Sequence, residues 1–450
     1  MMKILKGEKK VSDLGKLHRI FILILVSVGS STIYAPAYLK GVFYDPLMQA
    51  LGCSNMELGT LLSAYAITAM ICYVPAGILA DKIRCRTLAW VGFVGTALLT
   101  FVYAALPSYE ILLVVFVGMG ITSILIWWGV RFKLVRLIST EEEYPKNIGM
   151  SYGIYGAGGL VVGFINLAIV SALAENMGSA VTVLLVFLGS LILLLGILSF
   201  FFIPKFEGEI KQDGSSFNLN EFATSLKTPV VWMAAASMFF VYFFYTGVTY
   251  TTPYLTEVFA APLVIVSAVS VIRTYGITLI SGPIFGAIAA RVKSPAITIA
   301  GGSIVCAVGL VAFGILPTES GMVVVAAAII VLLGFVANGV FGIVSSQLTE
   351  GKVPLTVFGA ATGIVSVIGF MPDTFSSAWF GSIIDEKGAA AYPEIFAIMA
   401  GSAVIAAVIS VGLKLYVKKN NAKLEAIAAI EAAAALGEAA TDLEATQRPA

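Results

Sequence analysis

The chain of 450 residues has one histidine, His18, and four cysteines, Cys53, Cys72, Cys85 and Cys306. A single imidazole leaves no histidine pair to hold a metal, and no triad is assembled from it. The four thiols lack metal-ligand spacing and sit in or beside apolar runs, which reads as structural thiols and not a disulfide framework. Charge is scarce as well. Asp, Glu, Lys and Arg make up 12% of the residues, with a formal net charge of +1, against about 25% in an average soluble domain. So few polar residues cannot cover a water-facing surface, and the near-neutral balance offers no face for nucleic acid. No Walker sequence is present, which argues against ATP-driven chemistry. Gly156, Gly158, Gly159 and Gly163 lie inside an apolar run, not between a strand and a helix as a nucleotide fingerprint requires. Small residues there suit close helix packing. Neither an enzyme, nor a cofactor, nor a metal is implied.

What is abundant is apolar sequence. Hydrophobic residues make up 59% of the chain, in runs of about 20 residues, the length that a hydrocarbon core of about 30 Å demands of a helix. Twelve such runs fit between residues 20 and 416. The expectation is an all-α membrane protein, with twelve transmembrane helices in two pseudo-symmetric six-helix bundles. The bundles would be 1–203 and 229–418, joined by a polar linker, 204–228, and followed by an Ala- and Glu-rich tail, 419–450. The first apolar run has full spanning length and eleven follow it, so it reads as a span and not a cleavable signal.

The halves repeat one another. The stretch Tyr34-Ala-Pro-Ala-Tyr38-Leu39-Lys40 through Pro46-Leu47 aligns with Tyr250-Thr-Thr-Pro-Tyr254-Leu255 through Pro262-Leu263 at a shift of 216. Gly149, Gly153 and Gly159 match Gly359, Gly363 and Gly369 at a shift of 210. A third pair is Gly77-Ile-Leu-Ala-Asp81-Lys82-Ile-Arg84-Cys85-Arg86 and its degenerate echo Gly286-Ala-Ile-Ala-Ala290-Arg291-Val-Lys293. Three stretches agreeing on nearly one offset indicate internal duplication, and parallel repeats of this kind build some transporters.

The Gly77–Arg86 stretch resembles the loop between the second and third helices of the major facilitator superfamily of secondary transporters, and its echo falls where the second half of such a protein carries the same turn. The resemblance spans the whole chain. It implies alternating access about a site between the bundles, with Gly77, Asp81, Arg84 and Arg86 as gating residues that bias the conformational equilibrium. Asp81 would pair with Arg84, Arg86 or a helix N-terminus of the other half. The fifth run has glycines without the Gly-Pro motif of antiporter branches, which leaves exchange unsupported.

Basic residues set the expected orientation. With both termini cytoplasmic, 24 of the 27 Lys and Arg fall in inner segments, leaving Lys40 and Lys387 outside and Arg273 within a span. That asymmetry is what the positive-inside rule describes, and it points to a multi-pass inner-membrane protein, expected to be a monomer in the lipid bilayer.

Charges inside the membrane cost about 2.5–3.5 kcal/mol on insertion scales, so they face cavities or partners. Arg273 lies about eleven residues into the eighth run, about 16 Å deep at 1.5 Å per residue. It is either a fixed cation for an anionic small-molecule substrate or half of an internal ion pair. Asp373 follows Pro372, where the missing N–H opens the helix; it is either a proton-coupling site or the buried partner of Arg273 or of an outer helix end. Lys40 is a candidate for substrate or for the outer rim, and Arg131 for the cavity or for snorkelling to headgroups. Tyr34, Tyr38, Tyr250 and Tyr254, with Trp127 and Trp128, are candidate cavity walls, the tryptophans alternatively an interfacial belt. A mid-depth arginine on the eighth helix resembles the carboxylate-transporting branches of the superfamily, oxalate/formate exchangers and monocarboxylate carriers; the latter also use a lysine on the first helix, which Lys40 could supply. The reading is a secondary transporter moving a small organic anion together with a proton. The alternatives are an organophosphate/phosphate or carboxylate exchanger, a neutral sugar or drug carrier, and a non-transporting sensor.

The topology has a direct check. Of single cysteines placed at Lys387 and Gln212 in a cysteine-free background, an impermeant thiol reagent applied to intact cells should label only the first. Labelling of the second alone would invert the orientation.

Overall fold

A backbone surrounded by hydrocarbon has no partner but itself, so apolar runs of spanning length become helices. The computed structural model describes residues 7–140, 142–210 and 219–426, and helices dominate it. In chain order the long ones are α1 (Lys16–Ile33), α2 (Asn55–Lys82), α3 (Cys85–Ala104), α4 (Tyr109–Leu137), α5 (Tyr144–Ala172) and α6 (Met177–Phe202) before the linker. After it come α7 (Pro229–Glu257), α8 (Leu263–Gly276), α9 (Thr278–Val292), α10 (Pro295–Gly314), α11 (Val323–Ile343), α12 (Leu355–Gly369), α13 (Ser376–Lys387) and α14 (Ala391–Lys419). The C-terminal tail beyond 426 and residues 211–218 of the linker lie outside the described residues.

By length and hydropathy ten spans are found among the described residues, and the pair α8–α9, bent by 45°, makes an eleventh. The expected twelve is not reproduced by that measure. The difference falls in Val357–Lys419, which passes as one stretch of 63 residues. At 1.5 Å per residue this is about 95 Å, about three hydrocarbon thicknesses. The stretch is interrupted by the 3-10 segment Met371–Thr374 and again at Gly388, whose φ of +56° is left-handed. It therefore has the length and the breaks for two crossings.

One end of the molecule carries the linker. There Glu8 and Lys9 pair in parallel with Lys205 and Phe206. The buried Glu209 carboxylate accepts the backbone N–H groups of Cys85 and Phe206, capping the start of α3, and lies 3.5 Å from Arg84. Arg84 also pairs with Glu8, and Arg86 donates to the Ile203 carbonyl. Asp81 lies 3.8 Å from Lys133 of α4, within the same half. The expectation that Asp81 pairs with Arg84 or Arg86 is therefore corrected: Arg84 is engaged by Glu8 and Glu209, Arg86 by the Ile203 carbonyl at the end of α6, and Lys133 is a cation beside Asp81. In the second half Glu350 accepts from Ser294, Ala296 and Lys414.

The two halves meet at the far end. A Cβ on Gly59 of α2 would fall on the Ser377 carbonyl, and one on Gly381 of α13 would fall on the Asn55 carbonyl, so these helices touch backbone to backbone. Asp385, at the end of α13, accepts from the backbone N–H groups of Asn55 and Met56 at 3.0 and 2.8 Å and from the Asn55 amide at 2.8 Å. It thus caps the first turn of α2 in the opposite half. Thr256 donates to Asp45 at 2.6 Å. Beside this, Gly163, Gly159 and Gly156 of α5 pack on Val271, Tyr275 and Leu279. Gly149 and Gly153 border open space, as do their repeat equivalents Gly359 and Gly363.

The far-end contact depends on glycine. Overpacking a tight contact costs about 1–3 kcal/mol, a shift of about 5- to 150-fold in a two-state equilibrium. Gly381→Leu should therefore expose the far end. In a cysteine-free background, Ser377→Cys should be labelled faster by that factor when Gly381→Leu is also present. Equal labelling rates would show that α2 and α13 do not form the closed gate.

Candidate functional site

Three spans break within or beside the repeated stretches. Past Ile33 the chain leaves α1 and runs irregularly to a 3-10 turn at Leu39–Gly41. α7 passes through a 3-10 turn at Val248–Tyr250, and α12 gives way to Met371–Thr374 around Pro372. Two further distortions are π-helical, Ile121–Trp128 in α4 and Ile272–Gly276 in α8, a feature that recurs at functional sites. Breaks at membrane depth free backbone groups that must find partners within the protein. The polar side chains gather there.

Asp373 is 3% exposed. Its Oδ2 accepts hydrogen bonds from Tyr38 at 3.1 Å and Tyr242 at 2.7 Å. Tyr38 belongs to the first half and Tyr242 to α7, so one carboxylate oxygen joins both halves. Around it stand Phe370, edge-on to Tyr242 with centroids at 4.8 Å, and Tyr65, edge-on to Tyr38 at 5.4 Å. Lys40 is buried, which rules out the outer rim. Its Nζ donates to the Tyr250 hydroxyl at 3.3 Å, and that hydroxyl donates to the Ser377 carbonyl at 2.9 Å.

Arg273 is also buried, but it does not pair with Asp373, and the expected ion pair is corrected. Its Nη1 donates to the Val248 carbonyl at 2.7 Å; its Nη2 donates to the Gly41 carbonyl at 2.6 Å and to Thr274 Oγ1 at 3.2 Å. These carbonyls belong to the broken segments of α7 and of the chain after α1. A planar fork can reach two carbonyls in opposite halves, which a lysine cannot do. The guanidinium lies on Gly334 of α11, where a Cβ would collide with its Cγ.

Arg131 of α4 is 5% exposed, so it does not snorkel. Its guanidinium carbon lies 4.6 Å from the Tyr152 ring centre and 5.1 Å from that of Tyr155, with Phe132 at 5.4 Å. Its Nε and Nη2 are buried and without partners, as is the Tyr34 hydroxyl. Tyr34 packs edge-on against Trp128 at 6.4 Å, and Trp128 in turn against Phe132 at 5.6 Å. Trp127 is fully buried against Phe93, so it belongs neither to an interfacial belt nor to this wall. Tyr254 sits among Phe313, Tyr392 and Phe396, a packing role away from Asp373.

Sequence reasoning missed Tyr242, Tyr152, Tyr155 and Asp385. The first three occupy ordinary apolar helices, and only the shared face of Tyr152 and Tyr155, three residues apart, gave a signal. Asp385 sits two residues from the end of α13, in an acidic turn.

The clamp at Arg273 carries an expected outcome. Leaving a buried hydrogen-bonding group unpaired costs about 1–3 kcal/mol, so Arg273→Lys and Gly334→Ala should each lower the melting temperature of purified protein. Unchanged melting of both would show that the Val248 and Gly41 carbonyls do not need the guanidinium.

The comparisons with known proteins agree with this architecture. Residues 20–377 match the model of the Major Facilitator Superfamily. Inner membrane protein YihN of Escherichia coli (strain K12) is 28% identical over 417 residues, covering 91% of this chain and 97% of the relative. Inner membrane protein YqcE of the same organism is 28% identical over 358 residues, covering 78% and 84%. Among solved structures, the nucleoside transporter NupG superposes with a TM-score of 0.67 at 15% identity, covering 87% of this chain and 98% of that one. A bacterial homolog to the human lysosomal transporter Spinster, inward-facing and unoccupied, gives 0.66 at 14%, covering 89% and 96%. At these identities the structural neighbours establish the fold. With the family model matching most of its length, a multi-pass inner-membrane chain of this build belongs to the major facilitator superfamily of transporters.

Proposed function

We propose that the chain is a proton-coupled secondary transporter of a small organic anion, working by alternating access between bundles 1–203 and 229–418. The observation that carries this reading is the Asp373 joint. As a carboxylate, Asp373 accepts hydroxyls from both halves on one oxygen; a protonated carboxyl is a weaker acceptor and itself donates. Proton uptake therefore loosens the link between Tyr38 and Tyr242 and favours separation of the halves at the far end. The charge count supports an anion. Buried charged side chains among the described residues are Lys40, Arg86, Arg131, Arg273, Glu209 and Asp373. Arg86 and Glu209 belong to the linker end, which leaves three cations against one carboxylate around the breaks. An interior with surplus positive charge attracts an anion and disfavours a cation.

The linker end is the cytoplasmic end in this reading, because most basic residues cluster there. The far end is then sealed and the cytoplasmic end parted, a conformation that would receive solute from the cytoplasm or release it there. Symport follows if anion and proton are carried together, and one chain suffices for the cycle.

The test uses proteoliposomes filled with a pH-sensitive dye and challenged with a panel of organic anions, sugars and nucleosides. Anions should evoke proton movement in wild type, and Asp373→Asn should abolish it while exchange of the same anion persists. Proton movement evoked only by neutral solutes would overturn the anion reading; an Asp373→Asn protein that still moves protons with solute would overturn the coupling role.

A further inference from the structure

We propose that the Nε–Nη2 edge of Arg131 receives the carboxylate of a small, singly charged aromatic anion; this deepens the transport reading above and rests on it. Among the described residues the other buried cations each make at least one hydrogen bond, although Arg86 Nη2 and Arg273 Nε also lack partners. Lys40 has Tyr250, Arg86 has the Ile203 carbonyl, and Arg273 has two carbonyls and a threonine. Arg131 has aromatic rings against its guanidinium and no hydrogen bond on Nε or Nη2. These two nitrogens share one edge of the guanidinium, the edge across which a carboxylate binds with two parallel hydrogen bonds. Leaving such donors buried and unpaired is unfavourable, and a carboxylate laid along the edge removes that penalty.

The walls select the rest of the ligand. Tyr152, Tyr155 and Phe132 surround the guanidinium, and Trp128 carries the aromatic surface on to Tyr34. Among them the Tyr34 hydroxyl is a second buried group without a partner. A sugar acid would bury many hydroxyls against ring faces that cannot bond them. A phosphate dianion needs more than one cation, and the nearest basic neighbour on α4, Lys133, is engaged by Asp81 and the Ala80 carbonyl. A flat body with one carboxylate and at most one further polar group fits. Access is from the linker end: Gly149 and Gly153, on the same helix as Tyr152, border open space, and Tyr152 is itself 48% exposed.

The test measures binding to purified full-length protein by calorimetry, with benzoate as probe, benzamide as its neutral counterpart and inorganic phosphate as a dianion. Wild type should bind benzoate and neither of the others. Arg131→Gln should weaken benzoate about 10- to 100-fold, the loss of a charge-assisted bidentate contact. Arg131→Lys should recover only part of the affinity, and Arg136→Gln, one to two turns along α4, should bind as wild type. Benzoate bound equally by wild type and Arg131→Gln would overturn this site while leaving anion transport standing. Benzamide bound as tightly as benzoate would overturn both. Phosphate bound in preference to benzoate, or no binding of any probe, would overturn the aromatic carboxylate.

Discussion

A hydrogen-bonding group at the middle of a bilayer has no water to turn to, and the architecture of this transporter follows from how that demand is met. Helices α1, α7 and α12 break within the protein, which frees carbonyls and brings polar side chains inward. The halves satisfy one another there. Arg273 of one half bonds the Gly41 carbonyl of the other, Lys40 bonds Tyr250, and Tyr38 bonds Asp373. Each contact crosses between halves, so the closed far end is held by groups that must be re-satisfied before it can open. A carrier of this kind is bistable because its polar joints have few alternative partners: a proton, a solute, or water entering from the other side.

The weight of individual contacts differs. The Asp385 cap on α2 lies at the exposed edge of the far end, where charge interactions are screened and small. The glycine contacts of Gly59 and Gly381 bring two backbones together and gain dispersion over their length, but they do not respond to ligand or pH. Asp373 can respond, because its protonation state decides whether it accepts both tyrosine hydroxyls. In the proposed cycle, tight glycine packing supplies the closed state, and the titratable joint decides when it is left.

Much of this was legible in the sequence, and the reasons are particular. The glycine repeat at a shift of 210 survives in space: Gly149, Gly153, Gly359 and Gly363 all border open space, while Gly159 and Gly369 are packed against Tyr275 and Met238. Asp373 was marked by Pro372, and Arg131 by its charge. The role of Arg273 was not legible, because its partners are backbone carbonyls at helix breaks, and a carbonyl carries no residue identity. Its expected pairing with Asp373 failed for the same reason: two charges near one depth suggest an ion pair, yet tyrosine hydroxyls engage the one and backbone carbonyls the other. The Arg131 cage was half visible, since Tyr152 and Tyr155 lie on a different helix and only tertiary packing brings them to α4. The π-helical turns in α4 and α8 leave no composition signature at all.

The most direct measurement is the distance across the far end as a function of pH, by pulsed electron resonance between spin labels on the exposed ends of α2 and α13 in lipid nanodiscs. In wild type, lowering the pH should shift the population from the short to the long distance as Asp373 takes up a proton, and in Asp373→Asn the distribution should no longer depend on pH. A variant that keeps the wild-type pH dependence would place the titratable joint elsewhere and contradict the central role of Asp373.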